Sequence, residues 1–324
     1  MEKLVKFELK NKRVWVAGHN GMVGKALLKR LKYEECILLT VDKKNLNLTN
    51  QDDTSNWISS NKPDVIIISA AKVGGIISNI QKPADFIYQN IMIQTNIIHA
   101  AKKNSVSKLV FLGSSCIYPK YSNQPILESQ LMQGALEPTN DAYAIAKIAG
   151  LKMCSFYKRQ YKKDFISVMP TNLYGPNDDF SLSNSHVMGA LINKIVNAKI
   201  NKKNEVEILG TGKPRREFLH VNDLADAIVF LCKNYSDEEH VNIGTSLDIS
   251  ISELGKKIAS IVGWRGSFTY NTEQPDGTPL KRLNIDKLNN IGWAPKIDLN
   301  QGLREVIKFY LTSNKINLEL KADE

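Results

Sequence analysis

Tyr143 and Lys147 stand four residues apart in the run Tyr143-Ala144-Ile145-Ala146-Lys147. On a helix that spacing puts phenol and amine on one face. A neighbouring ammonium favours the phenolate and lowers the tyrosine pKa toward working pH. Such a tyrosine can pass a proton to or from a substrate oxygen while hydride moves at the adjoining carbon. Ser114 and Cys116 follow the apolar run 108–112. If that run is a parallel strand, its carboxyl end opens on the ligand crevice, where the Ser114 hydroxyl can bond a substrate oxygen beside Tyr143. Cys116 reads either as a small apolar filler or as a thiol that takes a proton from carbon. His186 is a candidate partner acid, although a lone histidine more often serves structure.

These groups need a scaffold, and the pattern supplies one. Strands are expected over 13–17, 36–41, 65–69, 108–112 and 165–169, and helices over 22–32, 51–60, 84–104 and 142–161. Continuous apolar runs such as 65–69 suit strands buried on both faces. Strands alternating with helices predict an α/β fold with a doubly wound parallel sheet of the Rossmann kind. The first strand runs into Gly18-His19-Asn20-Gly21-Met22-Val23-Gly24. Glycines so placed allow a tight turn, close approach of a pyrophosphate to backbone, and close helix–sheet packing. The helix that follows offers free N–H groups to the phosphates. A nicotinamide dinucleotide is therefore expected here. Asp42, at the end of the second strand, suits the ribose hydroxyls of NAD, whereas Lys43 and Lys44 suit the 2′-phosphate of NADP or form a solvated turn.

After Pro170 the pattern loosens, prolines recur, and 206–209 and 267–270 read as small strands. A smaller C-terminal substrate-binding lobe is expected. The dinucleotide domain is then 1–171 plus about 218–243, and the second lobe about 172–217 plus 244–324. The net charge of +10 comes from dispersed lysines mixed with acids, not from a basic stripe interleaved with aromatics, so no nucleic-acid partner is expected. No apolar run is long enough to span a membrane, and residues 1–12 lack a signal-peptide core and read as a tail or first-strand extension. Cys36, Cys116, Cys154 and Cys232 are scattered, which suggests neither a metal site nor disulfides and fits a reduced, cytoplasmic setting.

Segments 17–24, 70–76, 84–90, 113–119, 143–147, 169–176, 184–187, 216–220 and 275–279 together resemble the GDP-L-fucose synthase family. Its members are GDP-4-keto-6-deoxy-D-mannose 3,5-epimerase/4-reductases of the extended short-chain dehydrogenase/reductase type. The resemblance runs from about residue 13 to 310. It implies that Cys116 takes the protons from C3 and C5 and His186 returns them on the other face. It further implies that Ser114 holds the C4 oxygen, Tyr143 gives the final proton, Lys147 tunes Tyr143, and NADP(H) exchanges hydride at C4. Cofactor contacts are implied at Gly18, His19, Asn20, Gly21, Met22, Val23, Gly24, Asp42, Lys43, Leu46, Ala70 and Ala71. Further ones fall at Leu112, Gly113, Ser114, Ser115, Lys147, Pro170, Thr171, Asn172, Leu173 and His186. Lys194, Leu209, Arg216, Asp276 and Lys281 fall where the family contacts the GDP-sugar substrate.

Two positions depart from the family pattern. Asn20 stands where many members carry an arginine near the 2′-phosphate, so with Asp42 present NAD(H) is the alternative cofactor. Leu209 replaces an aromatic residue. The family also implies a homodimer built on the helices at 84–104 and 142–161. The apolar set Phe86, Ile87, Ile91, Ile97 and Ile98 serves that interface or the chain's own sheet. Rival activities are a reductase or epimerase of a related GDP-keto-sugar and a nucleotide-sugar 4-epimerase with bound NAD, which would not need Cys116 and His186.

Overall fold

Strands that are almost wholly buried build the centre of the molecule. In the computed structural model, which describes residues 6–181, 185–274 and 276–321, the chain opens with β1 (Arg13–Ala17), α1 (Met22–Leu31), β2 (Ile37–Leu39), α2 (Gln51–Asn61) and β3 (Val65–Ile68). Then come α3 (Ile76–Gln81), α4 (Pro83–Lys103), β4 (Lys108–Leu112), α5 (Asp141–Tyr161), β5 (Asp164–Pro170) and β6 (Asn172–Tyr174). The second half holds α6 (Val187–Ile200), β7 (Glu205–Leu209), β8 (Arg215–His220), α7 (Val221–Asn234), β9 (Val241–Ile243) and β10 (Asp248–Ser250). It closes with α8 (Ile251–Val262), β11 (Ser267–Asn271), β12 (Leu280–Lys281), α9 (Asp286–Ile291) and α10 (Leu299–Ser313). Asn184 and Pro275, which fall in two of the family-like segments, lie outside the described residues.

The main sheet has the order β2-β1-β3-β4-β5-β9, parallel throughout. The α/β, doubly wound expectation holds. Chain order reverses beside β1, so a crevice opens between the carboxyl ends of β1 and β3. The long helices α4 and α5 pack together on one face. Gly150 permits this: a Cβ there would lie 2.5 Å from the Phe111 ring and 2.7 Å from Gln94. Gln94 Nε2 then donates to Ala146 O at 2.5 Å, tying α4 to α5 near Lys147. The apolar set of α4 divides: Phe86, Ile97 and Ile98 are buried in the chain's own core, whereas Ile87 and Ile91 are half-buried. Residues 6–12 form no strand. They pack as an irregular arm, with Leu9 buried and Phe7 N donating to Lys233 O at 2.8 Å.

A second apolar core gathers side chains of α6, α8 and α10, including Ile192, Ile195, Leu254, Ile258, Leu303 and Ile307. Beside it β8 pairs antiparallel with β10 and parallel with both β12 and β6, and β7 pairs with β11. One buried carboxylate joins these pieces. Glu217, on β8, is 0% exposed. Its oxygens accept three backbone N–H groups, from Thr245, from Ser246 at 2.7 Å and from Leu283 at 2.8 Å. Its own carbonyl accepts Thr171 Oγ1 at 3.3 Å and Asn172 Nδ2 at 2.9 Å. Burial nevertheless pushes the Glu217 pKa up, against the pull of those donors.

Truncation of Glu217 to alanine leaves these buried donors unpaired, each at about 1–3 kcal/mol. Glu217→Ala is therefore expected to lose about 3 kcal/mol or more of stability, read as a lower urea midpoint, and Glu217→Gln to lose less.

Candidate active site

The glycine loop sits at the crevice. Gly18 has φ +91, and a Cβ on it would lie 2.6 Å from Ala70 N at the end of β3. A Cβ on Gly24 would lie 2.2 Å from Gly18 O. The loop therefore lies flat against Ala70 and against the start of α1, leaving backbone open toward the crevice. Gly21 caps α1 without a side-chain bond, and the first turn carries no acid, so the positive end of the helix is free for an anion. These residues fit a dinucleotide pyrophosphate. Asp42 Oδ1 accepts Asn20 Nδ2 at 2.7 Å and lies 3.5 Å from His19 Nε2. Lys43 and Lys44 are exposed, and Leu46 is buried beneath them. Asn90, buried in α4, accepts Lys72 N at 3.0 Å and donates to Lys72 O at 3.0 Å, fixing the chain just after Ala70 and Ala71.

The ends of β4 and α5 bring Ser114, Cys116, Tyr143 and Lys147 together. Gly113 lets the chain turn over Met169, whose sulfur would lie 2.2 Å from a Cβ at that position. Beyond it, Ser114 is extended, and its Oγ accepts Cys116 N at 3.3 Å and hydrogen-bonds the Tyr143 phenol. Lys147 is 3% exposed, and its Nζ donates to Leu112 O at 2.8 Å, between the rings of Phe111 and Tyr143. The expected lowering of the Tyr143 pKa by Lys147 is not what the geometry gives. Burial raises it, a Cys116 thiolate raises it further, and the Ser114 hydrogen bond only partly offsets them. Burial likewise pushes the Lys147 ammonium down to about 8. Desolvation dominates at both residues, so the phenol stays protonated.

The remaining expected residues distribute as follows. Pro170, Thr171, Asn172 and Leu173 run from β5 into β6 along the crevice. His186 caps the start of α6 and faces solvent. The protein around it still pushes its pKa down, with Asp179 opposing. No hydrogen bond or ion pair among the described residues joins it to Cys116. Arg216 on β8 is half-buried; its Nη1 donates to Arg215 O at 2.9 Å and its Nη2 to Asp276 O at 3.5 Å. Burial lowers its pKa, while Cys116, Glu137 and Asp276 oppose. Lys281 on β12 is in register with Arg216.

Asp276 is not free: its carboxylate accepts Thr211 N and Thr211 Oγ1, each at 2.7 Å, and so clamps the turn after β7. Lys194 Nζ donates to Glu207 O at 2.9 Å, and Leu209 is 48% exposed on β7. Sequence reasoning passed over Glu137 and Asn140. Glu137 is buried, 3.1 Å from Lys120 Nζ, and Asn140 Nδ2 donates to Cys116 Sγ at 3.4 Å. Their one sequence signal is nearness to Tyr143.

The NAD dependent epimerase/dehydratase family matches residues 14–244. The GDP-L-fucose synthase of Sinorhizobium fredii is 49% identical over 305 residues, which is 94% of this chain and 97% of the relative. A GDP-6-OMe-4-keto-L-xylo-heptose reductase from C. jejuni has a structure with TM-score 0.89 and 34% identity, covering 95% of this chain and 100% of that one. A GDP-L-fucose synthetase from Naegleria fowleri, bound to NADP, gives TM-score 0.87 and 26% identity, covering 97% of each chain.

The lowered pKa of Lys147 has a consequence for stability. Between about pH 8 and 10.5 the folded state holds fewer protons at this site than the unfolded chain, so stability rises with pH through that window. Lys147→Met is expected to raise the stability of the ligand-free protein at pH 7 by up to about 3 kcal/mol while abolishing activity. Thermal unfolding at pH 7 and at pH 10.5 checks this, the gap closing at the higher pH.

Proposed function

The chain belongs to the NAD dependent epimerase/dehydratase family, on its GDP-L-fucose synthase branch, and we propose that it converts GDP-4-keto-6-deoxy-D-mannose to GDP-L-fucose with NADPH. The observation that carries the reading is the meeting of Ser114, Cys116, a protonated Tyr143 phenol and Lys147 at the ends of β4 and α5. A ketone at C4 acidifies the hydrogens on C3 and C5. Cys116 takes such a proton, and the electron pair left on carbon spreads to the C4 oxygen, which Ser114 and Tyr143 hold. His186 returns a proton on the opposite face. Inversion needs acid and base on opposite faces of the ring, which suits two side chains that do not touch. NADPH, when bound, supplies hydride at C4. Burial keeps the Tyr143 phenol protonated, and it gives its proton to the C4 oxygen. Arg216, aimed by two carbonyls, binds the diphosphate.

We assign the dinucleotide to residues 1–171 with about 218–243, and the GDP-sugar to about 172–217 with 244–324. Two separate cores support that division in outline, although Leu283, Ile285, Leu288 and Trp293 pack in the first core and Phe218 in the second. A homodimer through α4 and α5 is supported by the exposure of Tyr88, Ile145, Phe156 and Tyr161 on these helices. A cytoplasmic setting fits four free cysteines, and no helix among the described residues is long and apolar enough to cross a membrane. The C. jejuni reductase favours one second reading, a reductase of another GDP-keto-sugar.

The deciding experiment supplies GDP-4-keto-6-deoxy-D-mannose in deuterated buffer with NADPH or NADH. Cofactor oxidation, deuterium at C3 and C5 and formation of GDP-L-fucose are expected; oxidation without deuterium would leave a plain reductase. Cys116→Ser is expected to lower deuterium incorporation by about a hundredfold or more. Asp42→Ala is expected to raise the ratio of kcat/KM for NADPH over NADH about tenfold, since it removes a carboxylate from the 2′-phosphate region.

A further inference from the structure

Asn140 occupies the position before the first residue of α5, where asparagine ordinarily turns its oxygen onto the backbone N–H of the first turn. Asn50 does this for α2, accepting Asp53 N at 3.1 Å. Asn140 does not: α5 has no side-chain cap. The Oδ1 of Asn140 is buried and unpaired among the described residues. Buried polar atoms without partners are rare and call for a reason. The one hydrogen bond that its side chain makes, among the described residues, runs from Nδ2 to Cys116 Sγ at 3.4 Å. The backbone that carries it is held beforehand. Glu137 Oε1 accepts Thr139 N at 3.4 Å and Thr139 Oγ1 at 3.2 Å, Asn140 N donates to Glu137 O at 3.1 Å, and Lys120 lies 3.1 Å from Glu137 Oε2. The amide thus forgoes both a cap and a partner for its oxygen, and keeps its N–H on sulfur.

We propose that Asn140 is a positioning residue for carbon deprotonation, its amide N–H holding the Cys116 sulfur as a thiolate beside the sugar. A thiolate is a far better acceptor of that N–H than a thiol, so the bond favours the charged base. The titratable groups whose charge couples to this sulfur are Tyr143 on α5 and Arg216 on β8. Asn140 adds a neutral donor that binds the thiolate without joining proton exchange. The step stays balanced: the proton passes from carbon to sulfur, and the electron pair remains on the sugar. The proposal rests on Cys116 acting as the base.

The test uses the full chain with Asn140→Ala, Asn140→Asp and Cys116→Ser. Asn140→Asp keeps the shape and volume of the side chain, so it folds. Alkylation of ligand-free protein by iodoacetamide is followed at Cys116 by peptide mass mapping across a pH series, with Cys36, Cys154 and Cys232 read separately. In Asn140→Ala, alkylation near neutral pH is expected to slow about threefold to tenfold and its pH profile to move upward. In Asn140→Asp, a carboxylate against the sulfur slows it further. Deuterium incorporation at C3 and C5 falls in the same order. Unchanged alkylation in both variants overturns the proposal, and so does Asn140→Asp reacting as fast as wild type. Deuterium incorporation that persists in Cys116→Ser overturns the base assignment instead, whatever the alkylation rates of the Asn140 variants.

Discussion

The carboxylate of Glu217 is where the two halves of the site are registered to each other. It receives backbone N–H groups from the turn after β9 and from the segment after β12, while the carbonyl of the same residue receives the side chains of Thr171 and Asn172. Arg216 precedes it, so the cation expected at the diphosphate is placed by the same short strand. Residues on both sides of the crevice therefore keep their spacing through one buried group. A buried carboxylate with this many backbone donors specifies geometry more than it adds stability, and its raised pKa shows that burial outweighs the donors.

Burial also sets the chemistry. Tyr143, Lys147 and Arg216 are all shifted toward their neutral forms by desolvation. A phenol kept protonated suits a group that gives a proton after hydride arrives. The reverse arrangement, a phenolate held by ammonium, would need water or a ligand charge to support it. In the proposed reaction the phenol donates at the C4 oxygen, while the thiol and its amide partner deal with carbon.

Much of this was legible in the sequence. Apolar runs such as 65–68 and 108–112 sit at their expected places, because strands buried on both faces leave an unbroken hydrophobic signature. The order of glycine loop, Ser114 and the Tyr143–Lys147 pair also signalled the crevice, since parallel strands deliver their carboxyl ends to one edge. What spacing cannot convey is competition for a side chain. Asp276 looks like a ligand-binding acid, yet Thr211 takes both its oxygens. Lys147 sits one helical turn from Tyr143, yet it turns to Leu112 O, because an ammonium 3% exposed must first satisfy itself. Asn140 was passed over because an asparagine before a helix reads as an ordinary cap, and only the direction of its amide shows otherwise.

The buried ammonium of Lys147 bears on how long the protein lasts in a cell. A site that holds a charge against solvation is the part of the fold most relieved by an anionic ligand, so occupancy raises the free energy of unfolding by mass action. Proteases sample the opened population, which shrinks as that free energy grows. Abundance of the enzyme should then follow the total supply of its own dinucleotide, oxidised or reduced, since both forms carry the same phosphates.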